Sequence, residues 1–150
     1  MLIPEGARGG EEESRAGFLE GVSGRGSTLV EPWVMRHDAS VLGVCRALQR
    51  LLRQTPRIDG LLVGRAGNAL TVLTHLLRTG IRVPGDIALI SRDDDPFLAH
   101  TDPAVARYGS RPSQFAGALT RMVEKLVQGS ALGGEVRLIV PDLIRAQTLK

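Results

Sequence analysis

The sequence contains little cysteine and few aromatic residues, and each shortage excludes a class of protein. Cys45 is the single cysteine among 150 residues, which excludes an internal disulfide and any multi-cysteine metal site. One cysteine is typical of a reducing compartment, so we expect a cytoplasmic location. Aromatic residues make up 3% of the chain. Stacking platforms for single-stranded nucleic acid are therefore scarce.

Long apolar runs and a strong charge of one sign are also missing. No stretch approaches the roughly 20 apolar residues of a membrane span, and the first residues lack the basic and apolar segments of a secretory signal. The net charge is +3, from 19 basic and 16 acidic residues. This surplus is small for a nucleic-acid-binding domain. We therefore expect neither a membrane partner nor direct DNA contact by this chain.

Motifs that are typical of known reactions are incomplete in this sequence, each at a specific residue. Arg25 stands where a nucleophile elbow starting at Gly21 needs its second glycine. Three aspartates begin at Asp93, but Leu98 and Ala104 stand where a calcium loop needs its glycine and its bidentate glutamate. The three histidines lack metal-ligand spacing. We therefore expect no metal, no cofactor and no catalytic residues. An enzyme ranks third among the alternative functions, after the two alternatives given below.

Short apolar runs alternate with segments in which apolar residues recur every three or four positions. The runs predict strands over 28–34, 60–63, 86–90 and 136–140, with a weaker one at Leu2 and Ile3. The periodic segments predict helices over 11–22, 40–54, 67–79 and 112–128. Strands alternating with helices predict an α/β fold, with a mostly parallel sheet flanked by helices on both faces.

Polar residues follow three of the predicted strands. Arg36, His37 and Asp38 come after the first, Arg65 after the second, and residues 91–94 after the third. Open parallel sheets bind ligands at the carboxyl ends of their strands. The pattern therefore predicts a site there for a polar, hydroxyl-rich or anionic small molecule.

The stretch from Gly80 to Pro103 resembles the effector-binding domain of the LacI/GalR family of bacterial transcription regulators. Its GIRVPGDIALISRDD portion follows the family's G-x-x-V-P-x-D-[IV] pattern and retains Asp93 and Asp94 near its end. Weaker matches cover 16–18, 56–63, 112–129 and 141–148. The resemblance implies a periplasmic-binding-protein-like (type I) fold, of which residues 1–150 are the C-terminal lobe. The family's helix-turn-helix and first lobe are absent from this sequence.

The resemblance also implies a function without catalysis. We expect an effector-sensing and dimerisation module that controls a DNA-binding domain located elsewhere in a longer chain. A sugar-binding protein of a transport system and the sensor domain of a winged-helix regulator are the alternatives. In the family the late helix packs on the first lobe. We therefore expect its stripe to be exposed here and to support self-association as a homodimer, through Phe115, Leu119, Met122 and Val123.

The resemblance assigns candidate ligand-binding residues, although several depart from the family pattern. Ser14 stands where the family has its effector-binding arginine, with Arg15 one place later. Arg65 replaces the asparagine of an Asn-Asp pair, and Arg92 replaces an aromatic residue. The complete candidate set is Asp93, Arg65, Arg15, Trp33, Arg92 and Ser14. The departures predict a ligand different from the sugars and nucleosides typical of the family.

Overall fold

The computed structural model describes residues 1–6, 9–23, 32–129, 134 and 138–150. Within them the chain alternates strands and helices in this order: β1 (Leu2–Pro4), α1 (Gly9–Ser23), β2 (Met35–His37), α2 (Val41–Leu52), β3 (Gly60–Val63), α3 (Ala66–Arg78), β4 (Ala88–Ser91), a 3-10 turn (Pro96–His100), β5 (Ala106–Gly109), α4 (Pro112–Val127) and β6 (Asp142–Ile144).

The strands form one sheet in the order β2-β1-β3-β4-β5-β6. Its first five strands pair in parallel, and β6 pairs antiparallel with β5. The predicted α/β class with a mostly parallel sheet is confirmed. No helix among the described residues is long and apolar enough to cross a bilayer.

The hydrophobic core lies between the sheet and the pair α2 and α3, which pack against each other. Fully buried side chains come from the strands and from both helices: Leu2, Val63, Leu89, Val44, Leu48, Leu51, Val72 and Leu76. Burial of one such leucine contributes roughly 1.5–3 kcal/mol. The buried face of α2 consists of Val44, Ala47, Leu48 and Leu51, whereas Val41 is 67% exposed. His75 is buried in α3.

The second face of the sheet carries α1. Leu62 and Ile90 alternate along their strands with the core residues of the first face, and they line a groove together with Phe18 and Val22 of α1. Trp33 also lines this groove. Helices therefore lie on both faces of the sheet, as predicted.

Two predicted strands, over 28–34 and 136–140, fall partly outside the described residues. Residues 28–31 are among those not described, residues 32–34 form no strand, and β2 begins at Met35, which aligns with Leu2 of β1. Residues 136 and 137 also lie outside the described residues, and 138–140 form no strand. The last strand is β6, because Leu143 pairs with Tyr108 of β5.

Part of the stretch that resembles the regulators has a structural role. Gly80 has a positive φ of 77° directly after α3, a conformation that favours glycine. Asp86 accepts hydrogen bonds from the backbone N–H and the guanidinium of Arg82, at 2.7–3.1 Å. These bonds lower the pKa of the Asp86 carboxyl to about 2. The aspartate of this motif therefore fixes the turn that leads into β4.

Thr148 joins β4 to β5 near the end of the chain. Its buried hydroxyl donates to the carbonyl of Leu89 at 2.7 Å and accepts from the N–H of Ala106 at 2.9 Å. Its backbone carbonyl accepts from Leu89, and its N–H donates to Ala104. The terminal segment thus satisfies strand groups that would otherwise be buried without a partner.

We expect Thr148→Val to lower the free energy of unfolding by about 2 kcal/mol, because the N–H of Ala106 would stay buried without an acceptor. Urea denaturation measures the change. Thr71→Val is the matched control, since the exposed Thr71 hydroxyl bonds only within α3. Equal midpoints for Thr148→Val and the unmodified protein would contradict this role.

Candidate functional site

The parallel strands bring four chain segments to one edge of the sheet. β1, β2, β3 and β4 all end there, and α1 begins shortly after β1. Arg65 is the residue before α3, and Arg92 and Asp93 follow β4 directly. This carboxyl edge is where ligands bind in open α/β sheets.

Arg65 is held by a carboxylate from the first turn of α1. Its Nε and one Nη donate to the same oxygen of Glu11, at 3.0 and 2.7 Å. Glu11 is buried, whereas the side chain of Arg65 is 48% exposed. A buried carboxylate requires such charged donors. The pair therefore fixes α1 to the loop after β3 and leaves part of the guanidinium in contact with solvent.

Glu12 binds two arginines at once. One carboxylate oxygen accepts from Nε of Arg15 at 2.8 Å, and the other accepts from Arg36 of β2. The hydrogen bond from Arg36, followed by that from Arg15, lowers the pKa of the Glu12 carboxyl. Glu12 and both arginines are 37–41% exposed. This part of the edge is open to solvent.

Arg92 links the loop after β4 to α1. It donates to Oδ1 of Asp93 through two nitrogens, at 3.1 and 3.0 Å, and to Oγ of Ser14 through a third, at 3.1 Å. Ser14 lies 78 positions away in the sequence. The loop after β4 and the helix α1 therefore meet in a polar network.

His37 lies buried at the end of β2, next to this network. The N–H of Ala39 donates to its Nδ1 at 3.0 Å, so Nδ1 is an acceptor, and Nε2 lies 3.5 Å from the amide nitrogen of Asn68. Burial lowers the pKa of His37, and Arg65 lowers it further, while Asp38, Glu5 and Glu11 oppose the shift. The imidazole is therefore neutral at pH 7.

Of the six predicted ligand-binding residues, the structure brings five together at the carboxyl edge: Asp93, Arg65, Arg15, Arg92 and Ser14. Trp33 lies at the opposite edge, since it precedes β2 and its carbonyl accepts from the amine of Met1. Its Nε1 is buried and has no partner among the described residues. The prediction placed Trp33 in a strand that does not form as expected.

No sequence pattern indicated that Glu11 and Glu12 belong to the site or that Arg36 has a partner there. Acidic residues in the first turn of a helix are ordinary, because carboxylates stabilise the amino end of the helix dipole. Glu11 meets an arginine 54 positions away. No local sequence pattern predicts a contact between residues so far apart in the chain. Among the described residues, no group of three potential ligand side chains that could hold a metal ion is present.

A family model described as a periplasmic binding protein-like domain matches residues 1–149. The chain belongs to this family. The HTH-type transcriptional repressor PurR of Erwinia tasmaniensis is 30% identical over 90 residues, covering 60% of this chain and 26% of PurR. The comparisons confirm the resemblance to the effector-binding domain of LacI-family regulators.

Two solved structures show the same fold. The Escherichia coli transcriptional repressor AscG is similar with a TM-score of 0.81 and 18% identity, over 99% of this chain and 54% of that one. A sugar-binding LacI-family regulator from Escherichia coli, solved with phosphate, is similar with a TM-score of 0.75 and 19% identity, over 99% of this chain and 53% of that one. The present chain therefore spans about half the length of these two regulators.

The buried neutral His37 predicts that the protein loses stability as the pH falls. Its pKa in the folded state is below the ordinary value of 6.5, so the unfolded state binds the proton more readily. The contribution of His37 to stability is complete above about pH 6.5 and decreases below it. The buried amine of Met1, whose pKa is lowered from 8.0 to about 6, adds a loss in the same direction over an overlapping range. Urea denaturation between pH 7 and 5.5 measures this loss, in a range above the ordinary pKa of 4.5 for glutamate.

We expect His37→Gln to reduce this dependence on pH and to leave the part that comes from the amine of Met1. His100→Gln, at an exposed histidine, is the control and keeps the slope of the unmodified protein. Equal slopes for His37→Gln and the unmodified protein would show that another group is responsible.

Proposed function

We propose that this chain is the effector-sensing and dimerisation part of a LacI-type transcriptional regulator. The observation that carries the proposal is the convergence of Arg65, Arg92, Asp93, Ser14 and Arg15 at the carboxyl edge of a periplasmic-binding-protein-like sheet. These residues form one wall of a cleft for a small polar ligand. A first lobe, encoded outside this sequence, supplies the other wall.

The proposed mechanism is allosteric. A ligand that binds better to the closed cleft shifts the protein towards that conformation. Closure changes the relative orientation of two subunits and thus the spacing of their recognition helices on an operator. DNA contact belongs to a domain outside this chain, the location is cytoplasmic, and the chain takes no part in catalysis.

Named relatives favour a regulator over a transport protein. PurR and AscG are both described as transcriptional repressors, whereas the fold by itself serves either function. One similar regulator is described as sugar-binding and was solved with phosphate. Because that regulator is described as sugar-binding and holds phosphate, we propose a sugar-like or anionic ligand for the present chain.

A ligand panel tests the proposed site. We expect backbone amides at residues 11–15, 64–66 and 91–94 to shift in ¹H–¹⁵N NMR spectra when one of a panel of neutral sugars, nucleosides, sugar phosphates and dicarboxylates is added. Asp93→Ala and Arg65→Ala should each weaken that binding about tenfold, which corresponds to one charge-assisted hydrogen bond. Asp59→Ala is the control, because Asp59 is exposed at the other edge.

The parent protein tests the regulator itself. We expect the upstream reading frame to encode a first lobe and a helix-turn-helix, and the intact mass in source cells to be about twice that of this chain. Binding with unchanged affinities in both variants, or a native mass equal to that of this chain, would contradict the proposal.

We propose that two copies of this chain associate through the apolar stripe of α4. Phe115, Leu119 and Val123 are 62, 54 and 51% exposed, and Met122 is partly exposed. Their exposure agrees with the expected packing of this helix on a first lobe. Without that lobe, two copies bury the stripe against each other, since an apolar patch of this kind is unfavourable in water.

We expect the chain to self-associate, and Leu119→Glu combined with Val123→Glu to convert it to a monomer in analytical ultracentrifugation. Leu77→Glu is the matched control, because Leu77 is an exposed leucine of α3 away from the stripe. A monomeric unmodified chain that binds no hydrophobic dye would contradict the interface.

A further inference from the structure

The first turn of α1 gathers three guanidinium groups around two neighbouring carboxylates. Arg65 bonds to Glu11, and Arg15 and Arg36 share Glu12. The arginines come from the loop after β3, from α1 and from β2. This arrangement, named here the arginine cluster, consists of Arg15, Arg36 and Arg65.

Several donors of the arginine cluster have no partner within the described part of the chain. Arg15 uses its Nε alone, Arg36 uses one Nη, and Arg65 uses Nε and one Nη. Each guanidinium carries five N–H donors. The unused donors belong to side chains that are 37, 40 and 48% exposed. They are accessible to a ligand in solution.

The two carboxylates differ in how firmly they are held. Glu11 is buried, so breaking its pair with Arg65 would leave a buried carboxylate without the guanidinium donors that stabilise it. The side chain of Glu12 is 41% exposed, and exposed ion pairs contribute little to stability. A ligand can therefore displace Glu12 at small cost, while Glu11 continues to orient Arg65.

We propose that the arginine cluster is an anion subsite of the cleft, and that Glu12 occupies it in the absence of ligand. This inference rests on the proposed function and specifies its ligand: a small molecule that carries a phosphate or carboxylate group. On binding, the ligand oxygens replace those of Glu12 on Arg15 and Arg36 and take the free Nη of Arg65.

The chemistry of the cluster favours an anion over a neutral sugar. A sugar hydroxyl both donates and accepts, so a sugar site combines donors with free acceptors. In this cluster the oxygens of Glu12 accept from arginines, and the remaining groups are donors. Guanidinium groups match the planar geometry of carboxylates and the oxygens of phosphate.

Three probes at constant ionic strength test the subsite: inorganic phosphate, succinate and glucose. We expect phosphate and succinate, but not glucose, to shift the Nε–H resonances of Arg15, Arg36 and Arg65 in ¹H–¹⁵N NMR spectra of the full 150-residue chain. Phosphate tests for a phosphate site, and succinate tests for a carboxylate site. The probe that shifts these signals at the lower concentration identifies the preferred group.

Variants test the displacement of Glu12. We expect Glu12→Gln to tighten binding of the preferred anion about three- to tenfold, because the competing charge is removed. Arg36→Gln should weaken it about tenfold, since one charge-assisted bond is lost. Both positions are partly exposed, so the fold tolerates these changes. Arg50→Gln, at an exposed arginine of α2, is the matched control and leaves the affinity unchanged.

Three results would overturn the inference. Weaker or unchanged anion binding by Glu12→Gln would mean that Glu12 does not compete with the ligand. Shifts caused by glucose alone would replace the anion subsite with a sugar subsite and would leave the proposed function intact. No shift with any of the three probes would remove the subsite, while the wider ligand panel tests the proposed function separately.

Discussion

Parallel pairing of β1 with both β2 and β3 is the constraint on which the rest of the structure depends. Leu2 aligns with Met35 on one side and with Val63 on the other. Three strands therefore end at the same edge, and the loops that follow them meet there. Glu11 reaches Arg65 across 54 positions because of this register. Both the buried ion pair and the polar network at the edge follow from the register.

The division of the structure into a core and a polar edge explains how the fold can be stable while the side chains at that edge stay open to solvent. α2 and α3 cover the first sheet face with fully buried aliphatic side chains. Thr148 links β4 and β5 through hydrogen bonds to both strands. None of these contacts uses the exposed arginines. The charged side chains of this edge are therefore not needed for the packing of the core.

Local patterns were sufficient for the fold class and for most elements. The period of apolar residues predicted β3 with its exact bounds and α3 and α4 to within one residue at each end, because these elements bury or expose whole faces. The same patterns misplaced β2 and β6 and gave no strand at β5, whose sequence ARYG contains no apolar run. These strands have three or four residues, and so short a strand is defined by its partner, not by its own sequence.

The sequence by itself determined the alternation of strands and helices, the position of polar residues after the strands, and the resemblance of residues 80–103 to a regulator domain. These features depend on residues close together in the chain. Only the tertiary structure decided that Glu11 and Glu12 bind three arginines and that Trp33 lies at the far edge of the sheet. Ion pairs and strand register join distant segments, and their energies depend on burial, which no local pattern records.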